Sequence, residues 1–135
     1  MEPLAQLRAK IAEFPGYDSA LDRRRSDQFV RSYLGEALAD LEARCQLAPE
    51  DRARVDALML RVAFADPTAF DVHDGHAAAR ANDGGPIAAA DAATVALAGE
   101  AATVNADSAS RYLDGVTALL DRRDATLRAA ASKSL

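Results

Sequence analysis

A chain of 135 residues, half of them hydrophobic but only 5% aromatic, has apolar surface for one core and few bulky side chains to fill it. The net charge of −5 argues against a dedicated nucleic-acid binder, and the single cysteine, Cys45, excludes an internal disulfide. No window of about 18 residues is free of charge, which speaks against a membrane-spanning helix. Alanine supplies much of the apolar half and is the strongest helix former, so the predicted class is all-α. The cations are nearly all arginine, with Lys10 and Lys133 the only lysines, the pattern of a GC-rich bacterial coding sequence. The start, MEPLAQLRAK, lacks the apolar run of a signal peptide, and the natural expectation is a cytoplasmic protein.

Taken in order, Leu4, Leu7, Ile11 and Phe14 recur on one face and predict a short amphipathic helix over residues 1–14. Pro15-Gly16 ends it, and Phe14-Pro-Gly-Tyr-Asp18 has the composition of a specific turn. Asp18 or Ser19 is a candidate N-cap, with Asp22 three residues after Ser19, opening a long second helix to Cys45. Its stripe comprises Phe29, Val30, Tyr33, Leu34, Leu38 and Leu41, with Leu21, Ala37 and Cys45 alongside. Arg23, Arg24, Asp27 and Arg31 fall mostly off that stripe, as a solvated, internally paired face would.

Ala48-Pro49-Glu50-Asp51 is a start signal for a third helix to about Ala65, with Val55, Leu58, Met59 and Val62 inward. The short connection near Leu47 makes helices two and three antiparallel neighbours. Residues 66–86 read as an irregular elbow: Asp66-Pro67, the apolar anchor Phe70, a brief helical run from His76 to Asn82, and the breaker Asn82-Asp-Gly-Gly-Pro86.

The stretch from Ile87 to Asn105 carries only two charges, Asp91 and Glu100. Ile87, Ala90, Thr94, Leu97, Ala101 and Val104 form a ladder of alternating three- and four-residue steps, the seam of a closely packed helix over Pro86–Asn105. Such a helix belongs at the centre of a bundle or at a subunit interface. Asp107 or Ser108 then caps a last helix to about Ala131, with Tyr112, Leu113, Val116, Leu119, Leu120 and Leu127 on its face and a frayed end from Ser132. The predicted architecture is a compact, mostly antiparallel bundle of four to six helices, one domain over residues 1–135.

Three constellations could carry function. His73 and His76, the only histidines, lie beside Asp71 and Asp74, and nitrogen and oxygen donors at that spacing suit zinc or another divalent ion. Against it, six residues make a small ring that usually needs ligands from a second element, and Asp74-Gly75 also reads as a plain turn. Arg23-Arg24-Arg25 with Arg31 is a basic strip for phosphate or nucleic acid, but Asp18, Asp22 and Asp27 flank it. Asn82-Asp-Gly-Gly85 precedes a helix start without the lysine of a phosphate loop and reads as a linker. No catalytic set assembles: Cys45 reads as a core thiol, and Ser108 and Ser110 have no triad partners.

The leading expectation is therefore a non-enzymatic module that binds itself or another protein, with no cofactor and no membrane. A metal-binding protein centred on His73, His76, Asp71 and Asp74 is the alternative. A nucleic-acid binder using Arg23–Arg25 ranks third.

Overall fold

The computed structural model describes residues 2–64 and 85–133. Among them the chain forms five α-helices and no strand: α1 (Pro3–Lys10), α2 (Ala20–Arg44), α3 (Pro49–Ala63), α4 (Gly85–Glu100) and α5 (Ala109–Lys133), with a 3₁₀ turn, Ala101–Thr103, after α4. The elbow predicted over residues 66–86 lies, through residue 84, outside the described residues.

Local chemistry places the helix ends. Ser19 Oγ accepts the Asp22 backbone N–H at 3.0 Å, so of the two candidates Ser19 and not Asp18 caps α2. Pro49 occupies the first turn of α3 with Glu50 and Asp51 beside it, where acids complement the helix dipole. Between α4 and α5, Asn105 and Ser108 bond each other reciprocally: Asn105 N–H to Ser108 Oγ and Ser108 N–H to Asn105 Oδ1, both at 3.0 Å. Arg44 closes the far end of the bundle, donating to the carbonyls of Ala101 and Val104 at 2.6 and 2.9 Å.

The helices pair as two antiparallel hairpins, α2–α3 and α4–α5. The hairpins lie side by side, α2 against α4 and α3 against α5. Arg54 reaches Asp114 at 2.6 Å and Arg61 reaches Asp121 at 2.9 Å, so α3 and α5 run in the same direction. α1 lies across α4 and buries Leu7. One apolar cluster fills the end holding Leu38, Leu41, Val55, Leu113 and Val116, and a second holds Leu7, Phe14, Tyr17, Val30, Val95 and Leu127.

The alanine-rich helix is central, touching α1, α2 and α5, but two details differ from the sequence reading. Its buried seam is Ile87, Asp91, Thr94 and Ala98 with Ala88, Ala92 and Val95 beside it, whereas Ala90 and Leu97 are only half-buried. A strip of Ala89, Ala93 and Ala96 faces solvent. The α-helix also stops at Glu100, because the chain tightens into a 3₁₀ turn there. At the chain's two ends, α1 is shorter than expected, closing at Ile11, and Ser132 and Lys133 are helical.

Candidate functional site

The Phe14–Asp18 turn is held by side chains that reach back to it. Gly16 sits at φ +89°, where a side chain is strained, and an added Cβ would come within 3.0 Å of the Arg8 guanidinium. Ser26 Oγ donates to the Gly16 carbonyl at 2.6 Å, Arg23 to Tyr17 O at 3.4 Å and Arg8 to Phe14 O at 3.4 Å. Phe14 and Tyr17 stack edge to face at 5.7 Å. This turn aims the Tyr17 ring into the bundle.

There the tyrosine begins a buried chain of charges. Tyr17 O–H donates to Asp91 Oδ2 at 2.6 Å, and Arg123 Nε donates to Asp91 Oδ1 at 2.7 Å. Arg123 Nη2 donates to Asp27 Oδ1 at 2.5 Å, and Arg31 Nε donates to Asp27 Oδ2 at 2.7 Å. Arg31 then passes a second bond to the Val62 carbonyl on α3 at 2.8 Å. Asp91 is 1% exposed, and Asp27 and Arg123 are 4% exposed. The N-terminal turn and α2, α3, α4 and α5 thus meet through one line of hydrogen bonds.

Electrostatics explains why that line is complete. An unpaired ion in such a place costs several kcal/mol, so each charge needs a partner of opposite sign and each lone pair a donor. Two carboxylates and two guanidiniums balance, and all four carboxylate oxygens accept a bond. Burial pushes the Asp91 carboxyl above its ordinary range, with Arg123 partly offsetting it. Burial also opposes the Arg123 cation, but the charges of Asp91 and Asp27 outweigh it and hold the guanidinium protonated. Tyr17 is pushed upward by burial and by Asp91, which keeps it a neutral donor.

This arrangement cross-braces helices. Neither of the grooves beside α2 is lined by Tyr17, Asp27, Asp91 or Arg123, so their atoms do not face those openings.

The residues singled out in the sequence distribute differently from the expectation. Arg23 is buried against the turn and Arg31 is bound to Asp27, so only Arg24 and Arg25 of the basic strip are exposed. The strip is therefore not the solvated face expected, because Arg23 and Asp27 occupy core positions of α2. Cys45 is half-buried against the apolar cluster, its thiol 3.4 Å from the Val104 carbonyl, in keeping with a packing role. His73, His76, Asp71 and Asp74 lie outside the described residues. Among the described residues no three His, Cys, Asp or Glu side chains group as a metal site needs.

The buried chain itself was not anticipated, although its signal is in the sequence. Arg123 stands in the ladder Val116, Leu120, Arg123, Leu127; Asp27 in Asp27, Val30, Leu34; and Asp91 in Ile87, Asp91, Thr94, Ala98. An ion at a seam position on three separate helices, two acidic and one basic, marks groups that meet inside. Comparison with protein-family models, with curated proteins and with solved structures found no match.

Proposed function

We propose that this protein is a non-enzymatic helical module that works by association, in the first place with a second copy of itself. One observation carries the reading: the outer face of α3. Ala53, Ala57 and Leu60 recur at steps of four and three, opposite the inward row Val55, Leu58 and Val62, and Phe64 follows as the extended residue that ends the helix. Leu60 is 62% and Phe64 72% exposed, and Ala53 and Ala57 are exposed with them. An apolar seam at coiled-coil spacing turned toward water is the mark of an interaction surface.

The seam is also self-complementary. Turned end for end about a two-fold axis, it sets Ala57 opposite the second copy's Leu60, and the reverse pair follows by symmetry. Each leucine then meets a methyl group, which lets the helices approach closely. The enclosed charge chain supports the same reading, since its ions already serve one another and not a ligand. The setting we infer is a bacterial cytoplasm, on the arginine-rich composition and a cysteine with no partner in its own chain.

Light scattering on the native chain between micromolar and submillimolar concentration tests the proposal. Twice the 14.3 kDa chain mass, falling to one chain mass in Leu60→Glu, is the expected result. A single chain mass throughout for the native protein would overturn it.

A further inference from the structure

We infer that Glu42 and Asp56 share one proton across the α2–α3 hairpin, forming a clasp that holds α3 more firmly in mild acid than at neutral pH. Glu42 stands in the last turn of α2 and Asp56 in the middle of α3, so the pair bridges the hairpin close to its connection. The two carboxyl groups lie in hydrogen-bond contact. Glu42 Oε2 is closed to water, and no N–H or hydroxyl group donates to it. Across the contact of α3 with α5 the acids meet guanidiniums instead, Asp114 at Arg54 and both Asp121 and Asp124 at Arg61. Glu42 meets another acid.

Two carboxylates in contact repel, and an enclosed oxygen without a donor adds the cost of its lost hydration. One proton removes both penalties. Carried on Glu42 and donated to Asp56, it turns the contact into a charge-assisted O–H···O bond, and the pair titrates as a unit. The surroundings act in the same sense. The Glu42 carboxyl is held above its ordinary range, chiefly by the bond to Asp56, then by burial and by the Asp56 charge, against a weaker opposing pull from Arg52 of α3. On α2 itself, the nearby acid Asp40 faces Arg44. The 3₁₀ turn packed on α2 is uncharged, and the acids of α4 act elsewhere, Asp91 on Tyr17 and Arg123 and Glu100 on Tyr112. A carboxyl raised in the folded state contributes stability that is fully present below the pH at which the unfolded chain titrates. That contribution is lost as pH rises through the folded-state value.

Carbon NMR of Glu42 Cδ and Asp56 Cγ in the full chain, followed from about pH 3 to about pH 8, tests the clasp. In the native protein Glu42 is expected to titrate at a higher pH than in the same chain unfolded in urea, with the Asp56 resonance responding in the same step. In Asp56→Asn, a change at an exposed position, the Glu42 midpoint is expected to fall back toward the ordinary carboxylate range. A second readout does not rely on that variant. Glu42→Gln keeps a permanent donor against Asp56, so its urea midpoint, measured relative to the native chain, is expected to rise between about pH 4 and about pH 7. A Glu42 midpoint equal to that of the unfolded chain, an unchanged midpoint in Asp56→Asn, or a Glu42→Gln difference that stays constant with pH would each overturn the clasp.

Discussion

Arg123 shows how a single side chain can set the arrangement of several helices. It lies on the apolar face of α5 between Leu120 and Leu127, and it donates to Asp91 on α4 and to Asp27 on α2. Removing it leaves two buried carboxylates with reduced compensation, so Arg123→Met should cost about 3–5 kcal/mol in urea unfolding. A loss within about 0.5 kcal/mol would show that the charges are solvated. A second residue-scale expectation concerns Tyr112, whose hydroxyl donates to the Leu97 carbonyl at 2.7 Å and is pushed up to about 12, chiefly by burial and then by Glu100. In the unfolded chain a tyrosine titrates near 10, so the native state holds this proton more tightly. Its contribution is complete below about pH 10 and is lost as pH rises toward 12. Stability should therefore fall across that window, and less steeply in Tyr112→Phe. Tyr17, shifted in the same direction, keeps part of the decline in that variant. Equal slopes in the two proteins would refute the assignment.

The helices were legible wherever a short-range signal set their limits. Ser19 with Asp22 marked the start of α2 and Pro49 with two acids the start of α3, whereas Pro15-Gly16 set the end of α1 too late, since the helix closes at Ile11. Because Ser19 Oγ satisfies an otherwise unpartnered N–H, Ser19→Ala should lower stability by about 1 kcal/mol in chemical denaturation, and Ser19→Asp should restore it. No change in Ser19→Ala would mean that water replaces the cap at no cost. What the sequence obscured was which face of α4 turns inward. Among so many alanines the apolar pattern is nearly the same in every direction, so larger residues alone suggested the ladder through Ala90 and Leu97. The deciding group was Asp91, which turns inward because Arg123 and Tyr17 wait there. Periodicity counts apolar residues and scores a buried acid as an outward one. The same rule misplaced Arg23 and Asp27 on α2.

At the scale of the molecule, an all-α bundle could be read from composition and helix spacing, because alanine-rich amphipathic segments joined by short turns have few other ways to bury their faces. The pairing of the two hairpins could not, since it depends on contacts between residues as distant in sequence as Asp27 and Arg123. With scarce aromatics, the interior relies on small side chains and on one balanced line of ions, which specifies a register that alanine contacts alone would leave degenerate. Among the described residues, the outer face of α3 carries the large exposed apolar side chain Leu60, with Phe64 just past the helix end. The candidate site read from His73, His76, Asp71 and Asp74 lies outside the described residues.

The most direct test of association through α3 is a charge swap built on its register. Leu60→Glu and Ala57→Lys each place an ion in the seam, and in a mixed pair Glu at 60 of one copy meets Lys at 57 of the other. Native mass spectrometry should find each variant alone at the 14.3 kDa of one chain and the equimolar mixture at twice that mass. Variants that stay dimeric on their own, or a mixture that remains monomeric while the native chain is dimeric, would contradict the two-fold seam.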